Sequence, residues 1–226
     1  MLLFVAAERR ELEGLLRHVA GLTKPDWPLD FARLGRLNGQ DVVLVANGPG
    51  PKLAGIAVDV VREHESMDAL VSTGFCGGLD RSLEACDIFV AHEVADIGPA
   101  LAPSTTRAFK TGRLLSIDRV VSTAAEKAAL ANRADAVEME AAAVAQRAIQ
   151  WNVPFFAVRV VTDTVEESFP LDFNKVRSAD GRFSRAQIIT AAVRKPGIVF
   201  PELIQLNQRT KRAAQALGDF LADARF

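Results

Sequence analysis

Two glutamates stand inside an otherwise apolar run, the stretch A-V-E-M-E-A-A-A-V-A from Ala136 to Ala145. A run so apolar and so rich in alanine is expected to be buried, and a buried carboxylate is costly unless it is hydrogen-bonded or neutralised. Glu138 and Glu140 could form a structural pair at a strand-to-helix junction, one capping the helix and one solvated. One of them could instead serve a ligand rich in hydroxyl groups or positive charge. The run alone leaves both interpretations open.

Further acidic residues lie where buried strands are predicted to end. Glu8 and Glu11 follow the apolar run Leu2–Ala7, and Asp163 follows the apolar run Phe155–Val161. Short continuous apolar runs are typical of strands buried on both faces. In open α/β sheets ligands bind at the carboxyl ends of the strands, so these acids are expected at the ligand-binding edge. For Glu8 and Glu11 the alternative is a surface role at a helix start, which the helix dipole favours.

Two glycine-rich segments also follow predicted strands. The segment N-G-P-G-P-K (47–52) fits neither the dinucleotide fingerprint nor the P-loop, because Leu53 stands where each needs a different residue. In Gly74–Gly78, three glycines leave the backbone able to approach a ligand closely. The same segment has the G-x-C-x-G pattern of a nucleophile elbow, which also needs a late histidine. Only His92 follows it, so an unrelated α/β hydrolase using Cys76 is kept as an alternative.

The composition excludes several classes of function. The chain has 226 residues, 49% hydrophobic and 24% charged, with a net charge of −1, so no global field attracts nucleic acid or an anionic membrane. The N-terminal apolar run lacks a basic region, which argues against a signal peptide, and no apolar stretch approaches the length of a membrane span. We therefore expect a cytoplasmic protein that binds no nucleic acid and does not insert into membranes.

Metal and disulfide chemistry are not expected either. Cys76 and Cys86 form no C-x-x-C motif and are expected to be free thiols in a reducing compartment. His18, His64 and His92 are scattered, without the spacing of a zinc site. We predict no metal.

Strands alternate with helices along the chain, which predicts a single α/β domain over residues 1–226 with a mixed, mainly parallel central sheet flanked by helices. Thr123 and Glu126 form a capping box at one helix start. The predicted strands are 2–7, 31–37, 41–46, 68–73, 87–91, 114–117, 136–139 and 155–161, and the predicted helices are 8–20, from 53 onwards, 123–133, 140–151, 184–194 and 201–222. The remaining segments are predicted as loops, with 97–112 mobile, 169–180 a lid candidate and Arg209–Arg212 a solvated basic helix face.

Four stretches together resemble the nucleoside phosphorylase and nucleosidase superfamily. They are A-A-E-R-R-E-L-E-G-L-L (6–16), S-T-G-F-C-G-G-L-D (72–80), A-V-E-M-E-A-A-A-V-A (136–145) and V-P-F-F-A-V-R-V-V-T-D (153–163). Within it, the chain is most similar to the small nucleosidases acting on methylthioadenosine and S-adenosylhomocysteine. The run D-R-V-V-S-T-A-A-E-K (118–127) is more similar to a bacterial side branch associated with hopanoid synthesis, which acts on adenosylhopane.

The resemblance implies cleavage of a purine–ribose N-glycosidic bond by a homo-oligomer without a metal or other cofactor. By family position, Asp163 protonates the leaving base near its N7, and Glu11 activates water, with Glu8 as a possible substitute. A carboxylate at Glu140 can accept two ribose hydroxyl hydrogen bonds and favours a cationic sugar. Met139 is expected to pack on the sugar face. The predicted substrate pocket is completed by Glu138, Gly74, Phe75, Val120 and Val121.

Two departures from the family pattern concern the substrate. Phe75 stands where small nucleosidases carry a serine that helps hold water or phosphate. Val120 and Val121 stand where they carry an aromatic residue that stacks on the base. A larger or more apolar 5′ substituent than methylthio is consistent with this altered pocket. A nucleoside-binding protein with impaired catalysis is the alternative that the loss of the serine favours.

The sequence leaves hydrolysis and phosphorolysis open. Inorganic phosphate as a co-substrate would need cations, for which Arg9, Arg10 and Lys52 are the candidates, each with a surface role as its alternative. Glu11 favours water as the nucleophile.

Overall fold

A computed structural model of the chain describes residues 1–169, 172–178, 181–182 and 196–226. Strands and helices are mixed along it, but the predicted alternation is wrong over two stretches, since residues 20–46 and 69–116 each hold consecutive strands with no helix between them. The strands are β1 (Leu2–Ala6), β2 (Ala20–Thr23), β3 (Phe31–Leu37), β4 (Gln40–Ala46), β5 (Ala69–Gly78), β6 (Ile88–Val94), β7 (Gly98–Pro99), β8 (Lys110–Ser116), β9 (Ala136–Glu138) and β10 (Phe155–Asp163). The helices are α1 (Arg9–Leu16), α2 (Pro51–His64), α3 (Ala124–Leu130), α4 (Ala141–Trp151) and α5 (Pro196–Asp223), and a 3-10 turn covers Phe173–Val176.

The strands form one mixed sheet that is partly closed on itself. Its order is β10-β6-β8-β9-β5-β1-β4-β3-β2, and a further pairing of β10 with β5 closes the first five strands into a ring. The predicted mixed sheet is confirmed, but its mainly parallel character is wrong, since five of the ten pairings in the described residues are antiparallel. One antiparallel pair is the β3–β4 hairpin, whose turn residues Asn38 and Gly39 have φ of +52° and +82°, as a type I′ turn requires.

β5 is the strand around which the ring and the open sheet meet. Residues 69–72 pair with β1, residues 70–77 pair with β10, and Gly77 and Gly78 pair with β9. The sequence predicts this strand to end at Thr73, but it continues through the glycine segment because β10 and β9 supply backbone partners there. Strands β4, β1, β5 and β10 are parallel neighbours, so their carboxyl ends meet at one edge.

Helices cover both faces of the sheet. Helices α2 and α4 contribute Ala57, Val61 and Val144 to one buried apolar cluster, and α1 and α5 contribute Leu15 and Leu217 to the other.

The α1–α5 crossing brings two backbones into direct contact. A Cβ at Gly14 would lie 2.0 Å from the Ala214 carbonyl oxygen, and a Cβ at Gly218 would lie 2.1 Å from the Gly14 backbone. Only glycine fits such an approach, which fixes the helix that carries Glu11.

Some boundaries differ from the prediction. The first helix ends at Leu16 rather than Ala20, because β2 begins there as an edge strand beside β3. The segment 97–112 contains β7 and the start of β8. Arg209, predicted on a solvated basic face, is half-buried and pairs with Glu167 at 2.8 Å. The predicted helix 184–194 lies outside the described residues, as does part of the predicted lid.

Candidate active site

Glu11 lies in the first turn of α1, just after the carboxyl end of β1. Its carboxylate accepts hydrogen bonds from the backbone N–H groups of Ala7 (2.8 Å), Glu8 (3.0 Å) and Phe75 (3.3 Å). The pairing of β5 with β1 ends at Ser72, so the N–H of Phe75 is available to the acid. Glu11 is buried, whereas the Glu8 side chain pairs with Arg10 near the surface. The geometry favours Glu11 over Glu8 for chemistry in this site.

Gly74 makes the approach of Glu11 to β5 possible. A Cβ at Gly74 would lie 2.9 Å from Glu11 Oε2, and its φ of +139° is one that L side chains rarely adopt. Burial raises the pKa of the Glu11 carboxyl, an effect that the hydrogen bond from the Glu8 backbone opposes. A raised pKa makes the carboxylate a stronger base, which suits a group that accepts a proton as a general base.

Glu140 stands between β9 and α4, at the predicted strand-to-helix junction. Its Oε1 accepts a hydrogen bond from the Gly50 backbone N–H at 2.8 Å. Burial raises the pKa of Glu140 to about 8, with further contributions from the charges of Glu138 and Glu11, while Arg159 and the Gly50 N–H oppose the rise. The side chain is therefore poised to change charge near neutral pH.

Glu140 makes the stability of the protein depend on pH. The free energy of unfolding should fall as the pH rises from about 4.5 towards 8, because over this range the folded protein holds a proton at Glu140 that the unfolded chain has lost. Glu140→Gln removes this titration. In urea unfolding, the free energy of unfolding of the variant should rise relative to that of the wild type by a few kcal/mol over this pH range. The expected size is roughly 1.4 kcal/mol per unit of difference between the folded and unfolded pKa of Glu140. A difference in stability that stays constant with pH would contradict this assignment.

Glu138 is held by protein groups on both oxygens. Oε2 contacts the Arg159 guanidinium and accepts from the Glu140 N–H at 2.9 Å, while Oε1 accepts from the Ala141 N–H at 3.0 Å. Arg159 is completely buried and also donates to the Ser72 hydroxyl at 2.7 Å. The substrate contact predicted for Glu138 stays a prediction, and in this structure the residue orients Arg159 and the start of α4.

Asp163 is the last residue of β10 and is buried. Its Oδ2 lies 2.5 Å from Lys127 Nζ, and its Oδ1 accepts from the Thr162 hydroxyl at 2.8 Å. Burial raises the pKa of the Asp163 carboxyl, while the charge and hydrogen bond of Lys127 lower it. A Cβ at Gly77 would lie 3.0 Å from Asp163 Oδ2, so β5 packs against this acid as it packs against Glu11.

The structure gathers the predicted acids along one strand. The Arg159 guanidinium contacts Glu138, and Arg159 pairs with Gly74 of β5, against which Glu11 packs. Burial lowers the pKa of Arg159, and its interactions with Glu138, Glu140 and Glu11 more than reverse this. Asp163, at the end of β10, packs against Gly77 of β5, and Gly77 is three residues from Gly74, a rise of roughly 10 Å along the strand. That separation is on the scale of a nucleoside.

The apolar residues of the predicted pocket differ in their placement. Val121 is buried with Leu79 and Leu115 under α3, and Phe75 packs towards α1 and α5, with the Arg10 guanidinium 5.9 Å from its ring. Met139 is half-buried. Their contacts with a substrate stay predictions.

The segment 172–178 crosses over two loops of the site. The Asn174 side-chain amide donates to the Val120 carbonyl and accepts from the Val120 N–H, both at 2.9 Å. Arg177 donates to Asp118 at 2.6 Å and to the Pro49 carbonyl at 3.4 Å. The described part of the predicted lid is thus tied both to Val120 and to the turn that bears Gly50.

Cys76 is not suited to nucleophilic catalysis. Its side chain is buried, and burial raises the pKa of the thiol, which disfavours the reactive thiolate.

Among residues 1–169, 172–178, 181–182 and 196–226, no group of three or more His, Cys, Asp or Glu side chains could hold a metal. None of the helices in that part of the chain combines the length and the apolar character that a membrane crossing needs.

The chain matches the family model of the phosphorylase superfamily over residues 11–106 and 97–194. It belongs to this superfamily, which confirms the predicted resemblance and overturns the alternative of an unrelated hydrolase using Cys76.

The fold is similar to that of several solved structures. A 5′-methylthioadenosine/S-adenosylhomocysteine nucleosidase from Colwellia psychrerythraea, in complex with adenine, is 26% identical over 77% of this chain and 86% of its own, with a TM-score of 0.65. The corresponding Neisseria meningitidis nucleosidase with methylthio-immucillin-A is 22% identical over 98% and 96%, with a TM-score of 0.71. Futalosine hydrolase of Helicobacter pylori is 17% identical over 98% and 95%, with a TM-score of 0.69.

The sequence interpretation missed Arg159 and Lys127. Arg159 carried a usable signal, because it is the one charge within the apolar run Phe155–Val161, and a charge inside a buried strand needs a partner. Lys127 follows the correctly predicted capping box and looks like an ordinary helix residue. Its partner is 36 positions away, so no local pattern reveals it.

Proposed function

We propose that the protein hydrolyses the N-glycosidic bond of a purine nucleoside or a 5′-substituted adenosine derivative. The observation that carries this proposal is that two buried acids, Glu11 and Asp163, pack against Gly74 and Gly77 of the same strand β5, while the buried Glu140 accepts from the Gly50 N–H. Such an arrangement offers one acid for the leaving base, one for the attacking water and one for the hydroxyl groups of the sugar. Membership of the superfamily and the likeness to nucleosidases support it.

At the sugar, Glu11 and Glu140 have separate roles. Cleavage gives the ribose an oxocarbenium-like positive charge, which nearby carboxylates stabilise. Glu140 accepts the ribose hydroxyls, and its raised pKa means that binding can be accompanied by loss of its proton. Glu11 takes a proton from the attacking water. Three backbone N–H groups hold the Glu11 carboxylate in place.

At the base, Asp163 supplies a proton. A purine leaves poorly as an anion, so a carboxylic acid at its imidazole ring lowers the barrier. Burial raises the pKa of Asp163, which favours the protonated form that this role needs.

The charge of the site favours water over phosphate as the nucleophile. The buried guanidinium of Arg159 is already paired with Glu138. Because Glu138 neutralises its charge, Arg159 offers little attraction to a phosphate dianion. Of the proposed phosphate cations, Arg10 pairs with Glu8, the Arg9 guanidinium lies over the Phe31 ring, and Lys52 is exposed. We therefore propose a reaction that needs neither phosphate nor a cofactor.

The proposed substrate class is a 5′-substituted adenosine with an apolar substituent. Support comes from Phe75 and the valines at 120 and 121, which replace polar and aromatic residues of the family pattern. The homo-oligomer expected from the resemblance stays a prediction.

The test is the release of purine from methylthioadenosine, S-adenosylhomocysteine, adenosylhopane and inosine, with and without inorganic phosphate, followed by chromatography. We expect release of free base and free sugar without phosphate. Formation of sugar 1-phosphate that requires phosphate would make the protein a phosphorylase. Binding of these nucleosides without release of base would instead support the impaired binding protein.

A further inference from the structure

Lys127 is a buried cation on α3, and the proton transfers described above do not involve it. Its side chain is 1% exposed. Nζ lies 2.5 Å from Asp163 Oδ2 and donates to the backbone carbonyls of Thr164 (2.6 Å) and Glu167 (3.0 Å). Three oxygens therefore take up the three N–H bonds of the ammonium group.

Burial of the Lys127 ammonium group costs free energy unless the group acts on the Asp163 carboxyl group. Lysine is almost never fully buried without a partner, and an apolar residue would fill the same space under α3 without the loss of solvation. Both Asp163 oxygens have donors, Lys127 at Oδ2 and Thr162 at Oδ1. The carboxyl group is therefore held in one orientation from two sides.

The other charges near this pair are already accounted for. The Glu167 carboxylate, which also acts on Asp163, is bound by Arg209 of α5 at 2.8 Å. On the β5 side, burial raises the pKa of the Cys76 thiol, so the thiol stays neutral. Lys127 is thus the cation that balances a negative charge on Asp163.

We propose, on the basis of the proposed function, that Lys127 is a positioning residue for protonation of the base: its ammonium group fixes the Asp163 carboxyl and balances the negative charge that appears there when the proton leaves. In this step the O–H bond of Asp163 breaks and an N–H bond forms on the purine. The electron pair of the glycosidic bond moves to the purine. The water oxygen bonds to the sugar carbon, and its proton goes to Glu11. Lys127 keeps its own protons throughout.

Lys127→Gln tests this role, because glutamine keeps a hydrogen-bond donor for the Thr164 and Glu167 carbonyls but removes the charge. We expect kcat for purine release to fall about 10- to 100-fold with KM little changed. Lys127 lowers the pKa of Asp163, and activity that needs protonated Asp163 is lost as the pH rises through that pKa. Without Lys127, the loss of activity should occur at higher pH, so the variant recovers relative to the wild type as the pH rises.

The exposed Lys211 on α5 provides the matched control, and Lys211→Gln should follow the wild type at every pH. The inference would be overturned by a Lys127→Gln variant that is active but whose kcat, relative to that of the wild type, stays constant with pH. Lys127 would then be a structural residue only. If the glutamine variant does not fold, Lys127→Arg carries the test. Arginine keeps the charge, so its pH profile should match the wild type, and a displaced profile would overturn the inference. Absence of purine release by the wild type would instead refute the proposed function.

Discussion

Asp163→Asn is expected to lower kcat/KM for purine release by about 10²- to 10⁴-fold, the range that a positioned general acid contributes. Asparagine has nearly the same shape and can still accept a hydrogen bond from Lys127. It has no acidic proton to give to the leaving base. The loss should therefore appear mainly in kcat, measured by purine release under saturating nucleoside.

Two comparisons separate loss of the acid from general damage. The exposed Asp26 is the matched control, and Asp26→Asn should retain wild-type rates. A nucleoside methylated at N7 carries a cationic base that leaves without a proton, so Asp163→Asn should lose much less activity on it. An equal loss on both substrates would show that Asp163 does not protonate the base.

Arg159→Met is expected to lower the free energy of unfolding by about 3–5 kcal/mol, as breaking a buried ion pair usually does. The substitution keeps an apolar side chain of similar length in β10. It leaves Glu138 buried beside Glu140 and Glu11 without its guanidinium partner. Urea unfolding of the wild type and the variant measures the effect.

A second substitution shows whether charge is the cause. Glu138→Gln added to Arg159→Met should recover part of the lost stability, because no unpaired carboxylate then remains. Arg147→Met is the matched control. Arg147 pairs with Asp59 at the surface, where such a pair contributes about 0–1 kcal/mol. Equal losses from Arg147→Met and Arg159→Met would contradict the role assigned to the buried pair.

Local sequence patterns predicted the strands whose residues are buried along most of their length, and the start of one helix. β1 and residues 42–46 of β4 are continuous apolar runs, β10 is apolar from Phe155 to Val161 except for Arg159, and each strand pairs with a neighbour on both sides. The Thr123–Glu126 capping box is present, with the Thr123 hydroxyl accepting from the Glu126 N–H at 3.2 Å. In these segments the information that decides the structure lies within a few residues.

Elements that depend on distant partners were not predictable in this way. The extension of β5 through Gly74–Gly78 runs against the low strand propensity of glycine, and it exists because β10 and β9 pair with it. Two of the antiparallel pairings in the described residues, β10–β6 and β5–β9, arise where the ring closes. Lys127 and Arg159 find their acids only after that closure. The acids of the site were predictable as residues, but their partners were not.

The hydrogen bonds between Asn174 and Val120 limit the binding free energy that a nucleobase can gain by contacting the Val120 backbone. A base that takes over the Val120 N–H and carbonyl replaces two existing hydrogen bonds, so their number does not rise. Contact there can then add selectivity but little affinity. A base edge that offers an acceptor beside a donor, as the asparagine amide does, makes an even exchange. An edge with the opposite order would leave both backbone groups unpaired, at about 1–3 kcal/mol each.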